Sequence, residues 1–134
     1  MKRRIIVGIS GASGVIYGVR LLQALRSLPD IETHLVVSEG GARTLAVETD
    51  WRMEGMRALC DVLHRNDNLA ASIASGSFIT HGMVVAPCSI RTLSGIANCY
   101  AENLLLRAAD VTLKERRRLV LMVRETPLHK GHLE

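Results

Sequence analysis

Val7-Gly8-Ile9-Ser10-Gly11-Ala12-Ser13-Gly14 follows the apolar run Arg4-Ile5-Ile6-Val7 and opens into a helical pattern over residues 15–28. A buried strand, a Gly/Ser turn and a helix start, in that order, predict the first βα unit of an α/β sheet. The same order predicts an anion-binding turn. Glycines let the backbone approach a ligand, and a helix N-terminus offers unpaired N–H groups with a partial positive charge. Ser10 and Ser13 add hydroxyl donors. The glycine spacing is G-x-x-G-x-x-G, which is neither the dinucleotide fingerprint nor the P-loop. The turn therefore points to a phosphorylated ligand other than the usual NAD or ATP.

Working outward, the apolar pattern predicts strands over residues 4–9, 32–37, 82–86 and 119–123. Val15, Val19, Leu22, Leu25 and Leu28 fall at helical spacing and predict the buried stripe of the first helix, which Pro29-Asp30 ends. Ser38-Glu39-Gly40-Gly41 reads as a turn. Residues 42–48, 53–63, 90–97 and 104–116 read as helices, and 66–77 as an irregular loop. Each strand is a solid apolar run and strands alternate with helices. That pattern predicts a three-layer, doubly wound parallel sheet of flavodoxin-like or Rossmann-like type, in one domain over residues 1–134. Ligands in such sheets bind beyond the carboxyl ends of the strands. The Gly/Ser turn, Ser38, Pro87-Cys88-Ser89 and Arg124-Glu125 all fall there.

Composition agrees. Of the 134 residues 48% are hydrophobic, enough for a core, and only 3% are aromatic, so that core is aliphatic. The net charge of +4 suits an anionic ligand. Lys114-Glu115-Arg116-Arg117-Arg118 has no aromatic interleaving and no nucleic-acid motif, so we expect no nucleic-acid partner. Arg116 to Arg118 read instead as a basic helix C-terminus. Three widely spaced cysteines, Cys60, Cys88 and Cys99, form no C-x-x-C pair and predict neither a disulfide framework nor a zinc site. Cys88 follows a strand, but no histidine is placed to activate it, so it reads as a packing residue. His129 and His132 lack helical metal-pair spacing, and no metal is expected. No signal-peptide core or membrane-length apolar run is present, which predicts a cytoplasmic protein.

Four segments then become familiar. Gly8-Ile9-Ser10-Gly11-Ala12-Ser13-Gly14, Pro87-Cys88-Ser89-Ile90-Arg91-Thr92-Leu93-Ser94, Arg107-Ala108-Ala109-Asp110-Val111 with Leu113-Lys114-Glu115-Arg116, and Val123-Arg124-Glu125-Thr126-Pro127-Leu128 resemble, in order, the flavin prenyltransferases. These were formerly called polyprenyl-hydroxybenzoate carboxy-lyases or phenylacrylic acid decarboxylases. The resemblance implies reduced FMN as acceptor substrate and dimethylallyl monophosphate as donor, with no metal. It implies prenylated FMN as product, a decarboxylase dependent on that product as partner, and a homododecamer with its sites between subunits.

The resemblance also implies roles for residues. Gly11, Ala12, Ser13, Ser38, Ser89, Ile90, Arg91, Thr92 and Arg124 would bind FMN. Ser13, Glu48, Lys114 and Glu125 would be catalytic, and Arg107, Lys114 and Arg124 would face the prenyl phosphate. From spacing alone, Glu48 and Glu125 read as surface carboxylates. Relative to the family, a C-terminal strand and helix are expected to be missing. Two other readings stand beside the first: an FMN-dependent cysteine decarboxylase, from which Pro87-Cys88-Ser89-Ile90-Arg91-Thr92 points away, and a truncated, non-catalytic FMN-binding module.

Overall fold

The structure, a computed structural model, describes residues 2–124. Five parallel strands form one sheet: β1 (Arg3–Ile9), β2 (Ile31–Val37), β3 (Val62–His64), β4 (Gly82–Cys88) and β5 (Arg118–Val123). Their order is β3-β2-β1-β4-β5. Between them run α1 (Val15–Arg26), α2 (Glu39–Glu48), α3 (Met53–Arg57), α4 (Ile90–Ala97) and α5 (Leu104–Lys114), with a single 3-10 turn at Ser72–Ala74. The order reverses between β1 and β4, which opens a crevice at the carboxyl ends of those two strands.

The central strands β1, β2 and β4 are buried on both faces over most of their length, which is why they read as apolar runs. Val7, Ile9, Leu35 and Val37 pack with Val15, Val19 and Leu22 of α1, Leu45 of α2 and Met56 of α3. Ile6, Val36, Met83, Val85 and Cys88 pack on the other face with Ile96 of α4 and Leu105, Ala108 and Ala109 of α5. Helix α1 lies close on the strands because residue 18 has no side chain. A Cβ at Gly18 would stand 2.4 Å from the Ala86 carbonyl oxygen.

Four local expectations need correction. Residues 53–63 are not one helix: α3 stops at Arg57, and Val62-Leu63-His64 is a strand paired with His34-Leu35-Val36. The Asp61 carboxylate accepts from Thr33 N at 2.8 Å and from the Thr33 hydroxyl at 3.3 Å. That clamp draws the following residues alongside β2, and pairing overrides helix propensity. Residues 38–41 are not a free turn. Ser38 caps α2 by accepting from Gly41 N at 3.0 Å, so Glu39, Gly40 and Gly41 form the first helical turn. Helix α1 ends at Arg26, leaving Leu28 exposed rather than in the buried stripe. Helix α5 ends at Lys114, because Arg116 takes a left-handed conformation at φ 57°. Arg116 to Arg118 therefore do not complement its dipole, and Arg118 already belongs to β5.

Candidate functional site

The crevice is built by the two strand ends at the switch point. Ser10, fully buried at the end of β1, donates its hydroxyl to the Pro87 carbonyl at 2.7 Å and accepts from Ser89 N at 2.8 Å. Its donor is engaged in holding the β1 and β4 loops together, so it is not the ligand donor the sequence suggested. Pro87 lacks an N–H and sits at the irregularity of the β4–β5 ladder between Val85 and Cys88.

The head of α1 is also engaged. Glu48, at the end of α2, accepts from Gly14 N at 3.0 Å. The N–H groups of Gly14 and Val15 and the Ser13 hydroxyl hold its carboxyl below the usual range, and Arg124 adds positive charge. The anion expected at this turn is thus a carboxylate of the protein itself. Gly14, at φ 101°, supplies the backbone conformation that aims the N–H groups this way.

Two other helix heads remain open, those of α2 and α4. Ser89 caps α4, accepting from Thr92 N at 3.1 Å and donating to the Thr92 hydroxyl oxygen at 2.9 Å. The Thr92 and Ser38 hydroxyl hydrogens have no acceptor among the described residues. The first two N–H groups of each helix are likewise without an intrahelical partner. Both heads open on one cleft of about 1140 Å³, lined among others by Gly11, Ser38, Gly40, Ser89, Ile90, Arg91 and Thr92. Gly11 and Gly40 pack backbone against backbone: a Cβ at Gly11 would lie 2.9 Å from the Gly40 carbonyl carbon. That contact brings the head of α2 against the β1 turn.

The other expected site residues divide. Ser13, Glu48 and Arg124 form a second group through the Glu48 carboxylate. The Arg124 backbone donates to the Cys88 carbonyl at 3.2 Å. Ala12 is buried in the turn. Arg107, in the first turns of α5, donates to the Ala74 carbonyl at 3.2 Å, away from both groups. Lys114 is brought to neither: it ends α5, with three residues between it and the start of β5, hence at the amino edge of the sheet. Within this chain it is not beside Glu48. Glu125, His129 and His132 lie outside the described residues. Burial pushes the Cys88 thiol up to about 11, which suits packing and not nucleophilic attack. Among the described residues, no group of three or more potential ligands could hold a metal ion.

Sequence reading missed Arg57, His64, Arg65 and Asn66, which also line the cleft. Arg57 ends α3, and His64, Arg65 and Asn66 end or follow β3, whose first two residues were read as helix, so nothing marked them as lying at a strand end.

The chain matches the Flavoprotein family over residues 1–132. It is 65% identical over 131 residues to the flavin prenyltransferase UbiX of Escherichia coli (strain K12), covering 98% of this chain and 69% of that protein. The chain belongs to the flavin prenyltransferase family. A second member, UbiX of Neisseria meningitidis serogroup B, is 58% identical over 134 residues, covering 100% of this chain and 70% of its own. Among solved structures, AnUbiX (PadA1) in complex with FMN and dimethylallyl pyrophosphate superposes with a TM-score of 0.97 at 48% identity, covering 99% of this chain and 70% of that one. A dodecameric FMN-dependent UbiX-like decarboxylase from Escherichia coli O157:H7 gives 0.95 at 52%, covering 97% and 71%. The cysteine decarboxylase TvaF, at 16% identity and a TM-score of 0.76, shares the fold alone.

Proposed function

We infer that the protein is a flavin prenyltransferase. It transfers the dimethylallyl group of dimethylallyl monophosphate to N5 and C6 of reduced FMN. Its product, prenylated FMN, serves a partner decarboxylase in ubiquinone or aromatic acid metabolism. The observation that carries this reading is the 65% identity to the Escherichia coli enzyme across nearly the whole chain. The FMN and dimethylallyl pyrophosphate bound by AnUbiX support the same ligand classes here. The dodecameric relative supports a homododecamer. Among the described residues no helix is long and apolar enough to cross a membrane, and we assign the protein to the cytoplasm. We read residues 1–134 as one FMN-binding domain.

The described residues fit the flavin. Its phosphate matches the open heads of α2 and α4, where backbone N–H groups, the Ser38 and Thr92 hydroxyls and Arg91 converge on one cleft. Gly11 lets the backbone come close to the ligand, and Ala12 and Ile90 offer small apolar contacts. The Ser13 hydroxyl donates to Glu48, which leaves its oxygen as an acceptor for an N–H of the bound ring. Glu48, held ionised by the head of α1, can take a proton delivered through Ser13. Arg124 places positive charge beside that carboxylate, where a departing phosphate builds negative charge. The flavin supplies the nucleophilic atoms, so no protein nucleophile is required. We keep Glu125 as a catalytic candidate. Lys114 and Arg107 would reach the prenyl phosphate only from a neighbouring subunit.

The test is anaerobic incubation with reduced FMN and dimethylallyl monophosphate, followed by mass analysis of the released flavin. A flavin heavier by one prenyl unit is expected. Unchanged flavin in a protein that binds FMN would overturn the transferase reading.

A further inference from the structure

A chain of three titratable side chains runs through the buried interior and ends in the cleft wall. His34, 3% exposed, sits mid-way along β2. Its Nε2 lies 2.7 Å from a Glu32 carboxylate oxygen, and its Nδ1 lies 2.9 Å from His64 Nε2. The two rings are stacked at 5.2 Å between centroids and 16° between planes. Phe78 meets His34 edge-on at 5.3 Å. His64 ends β3 and lines the cleft. His34 does not line the cleft, and neither histidine has a role in the proposed prenyl transfer.

With both imidazoles neutral, the order of hydrogen bonds sets where their protons lie. An ionised carboxylate only accepts, so His34 Nε2 carries a hydrogen for Glu32. With His34 neutral, its Nδ1 is bare and accepts, and His64 Nε2 therefore donates. His64 Nδ1 is left bare as well, and it has no partner among the described residues. One added proton has one vacant place, His64 Nδ1, and taking it disturbs no existing hydrogen bond. The ring then becomes a cation in the cleft wall. The negative charge that supports it, on Glu32, is two hydrogen bonds away.

The surrounding charges favour an anion as the trigger. Arg4 from β1 lies 3.4 Å from Glu32 and covers Phe78 at 4.1 Å. Arg117 holds the Gly76 and Phe78 carbonyls behind that ring. Helix α5 presents the neutral Leu105 to this face of the sheet. In the cleft, Glu39 is paired with Arg43 and Asp67 with Arg65, and Glu102 also lines the wall. Arg57 and Arg91 line it without a described partner. Burial, above all, lowers the pKa of His64 below its ordinary 6.5, which keeps the imidazole neutral at pH 7. A phosphate entering the cleft supplies the opposite charge that favours the imidazolium.

We propose that His64, backed by His34 and Glu32, is a proton-linked anion contact of the cleft, taking up a proton from solvent at Nδ1 when a phosphate-bearing ligand binds. This rests on the reading that FMN occupies the cleft. The probe is FMN, and the readout is calorimetric binding to the full chain in two buffers of unequal ionisation enthalpy. Wild type should take up more protons per site than His64→Gln at about pH 7, by up to about one. The affinity difference between the two should grow as pH falls toward 6 and vanish by about pH 8. On wild type alone, histidine NMR titration should show the His64 midpoint rising when FMN is added, with a smaller rise in Glu32→Gln. FMN binding with equal proton uptake in both proteins, or an unmoved His64 midpoint, overturns the proposal and leaves the flavin reading standing. No FMN binding by wild type overturns both.

Discussion

The two edges of the sheet use positive charge in opposite ways. Where the strands begin, Arg3, Arg4 and Arg117 are engaged by the protein. Arg3 pairs with Asp30 at 3.9 Å, and Arg4 reaches Glu32 and the Ile79 carbonyl. Arg117 donates to the Gly76 carbonyl at 2.7 Å and the Phe78 carbonyl at 3.2 Å. Where the strands finish, Arg43 and Arg65 are paired, but the guanidinium groups of Arg57 and Arg91 line the cleft with no ion pair or hydrogen bond among the described residues. Helix heads divide in the same manner. That of α1 is filled by Glu48, while those of α2 and α4 keep free donors facing the cleft. Net charge or a Gly/Ser turn by itself does not mark a binding site. What marks it is a donor whose partner is not supplied by the fold.

Substitutions at the two edges should therefore separate stability from binding. The largest loss of stability is expected at the amino edge. Arg117→Ala removes two charge-assisted bonds to half-buried carbonyls and should cost about 2–3 kcal/mol in urea unfolding. Its FMN affinity should stay within twofold of wild type, as about 1.4 kcal/mol would be needed for tenfold. A large affinity loss would break the contrast between the edges. Ser10→Ala, at the switch point, leaves Ser89 N and the Pro87 carbonyl without their buried partner. It should cost about 2 kcal/mol and also weaken FMN, because the heads of α1 and α4 lose their tie.

Smaller stability effects belong to the cleft. Arg57→Ala and Arg91→Ala should each change stability by no more than about 0.5 kcal/mol, since neither side chain contacts a described partner. Arg91→Ala should nevertheless weaken FMN in a titration by flavin fluorescence. Loss of stability without loss of affinity would reverse the assignment.

The smallest effect is a pH dependence. His64 is depressed below its ordinary 6.5, mainly by burial, so below that value the unfolded chain binds the proton first. Stability should begin to fall as pH drops through 6.5. The His34 hydrogen bond, foremost among its causes, lowers Glu32 below its ordinary 4.5. Its contribution is present above 4.5 and is lost as pH falls through the folded value. Urea midpoints across this range should decline in two stages, and His64→Gln should remove the upper one.

The parallel sheet and its crevice were legible because apolar runs alternate with helical spacing; the runs of β1, β2 and β4 are largely buried, whereas Val120, Met122 and Val123 of β5 are exposed. Ser38 and Ser89 were legible as polar residues just past strand ends, and Thr92 through the resemblance to the family. What was not legible depends on contacts distant in sequence. Strand β3 is held by the clamp between Asp61 and Thr33, 28 positions apart, and without it His64 had no assigned place. The pairing of Glu48 with the head of α1 spans 34 positions, so the turn after β1 read as an open anion site. Lys114 matched a motif, yet the direction of α5 carries it to the opposite edge. A motif names residue types, and only the path of the chain decides which edge they reach.

The most direct test of the account is a crystal structure of the protein with FMN. The account predicts the phosphate between the heads of α2 and α4, within hydrogen-bond reach of Ser38 and Thr92, with Arg91 turned toward it. A flavin bound elsewhere, above all against Lys114, Arg116 and Arg118 at the amino edge, would contradict it.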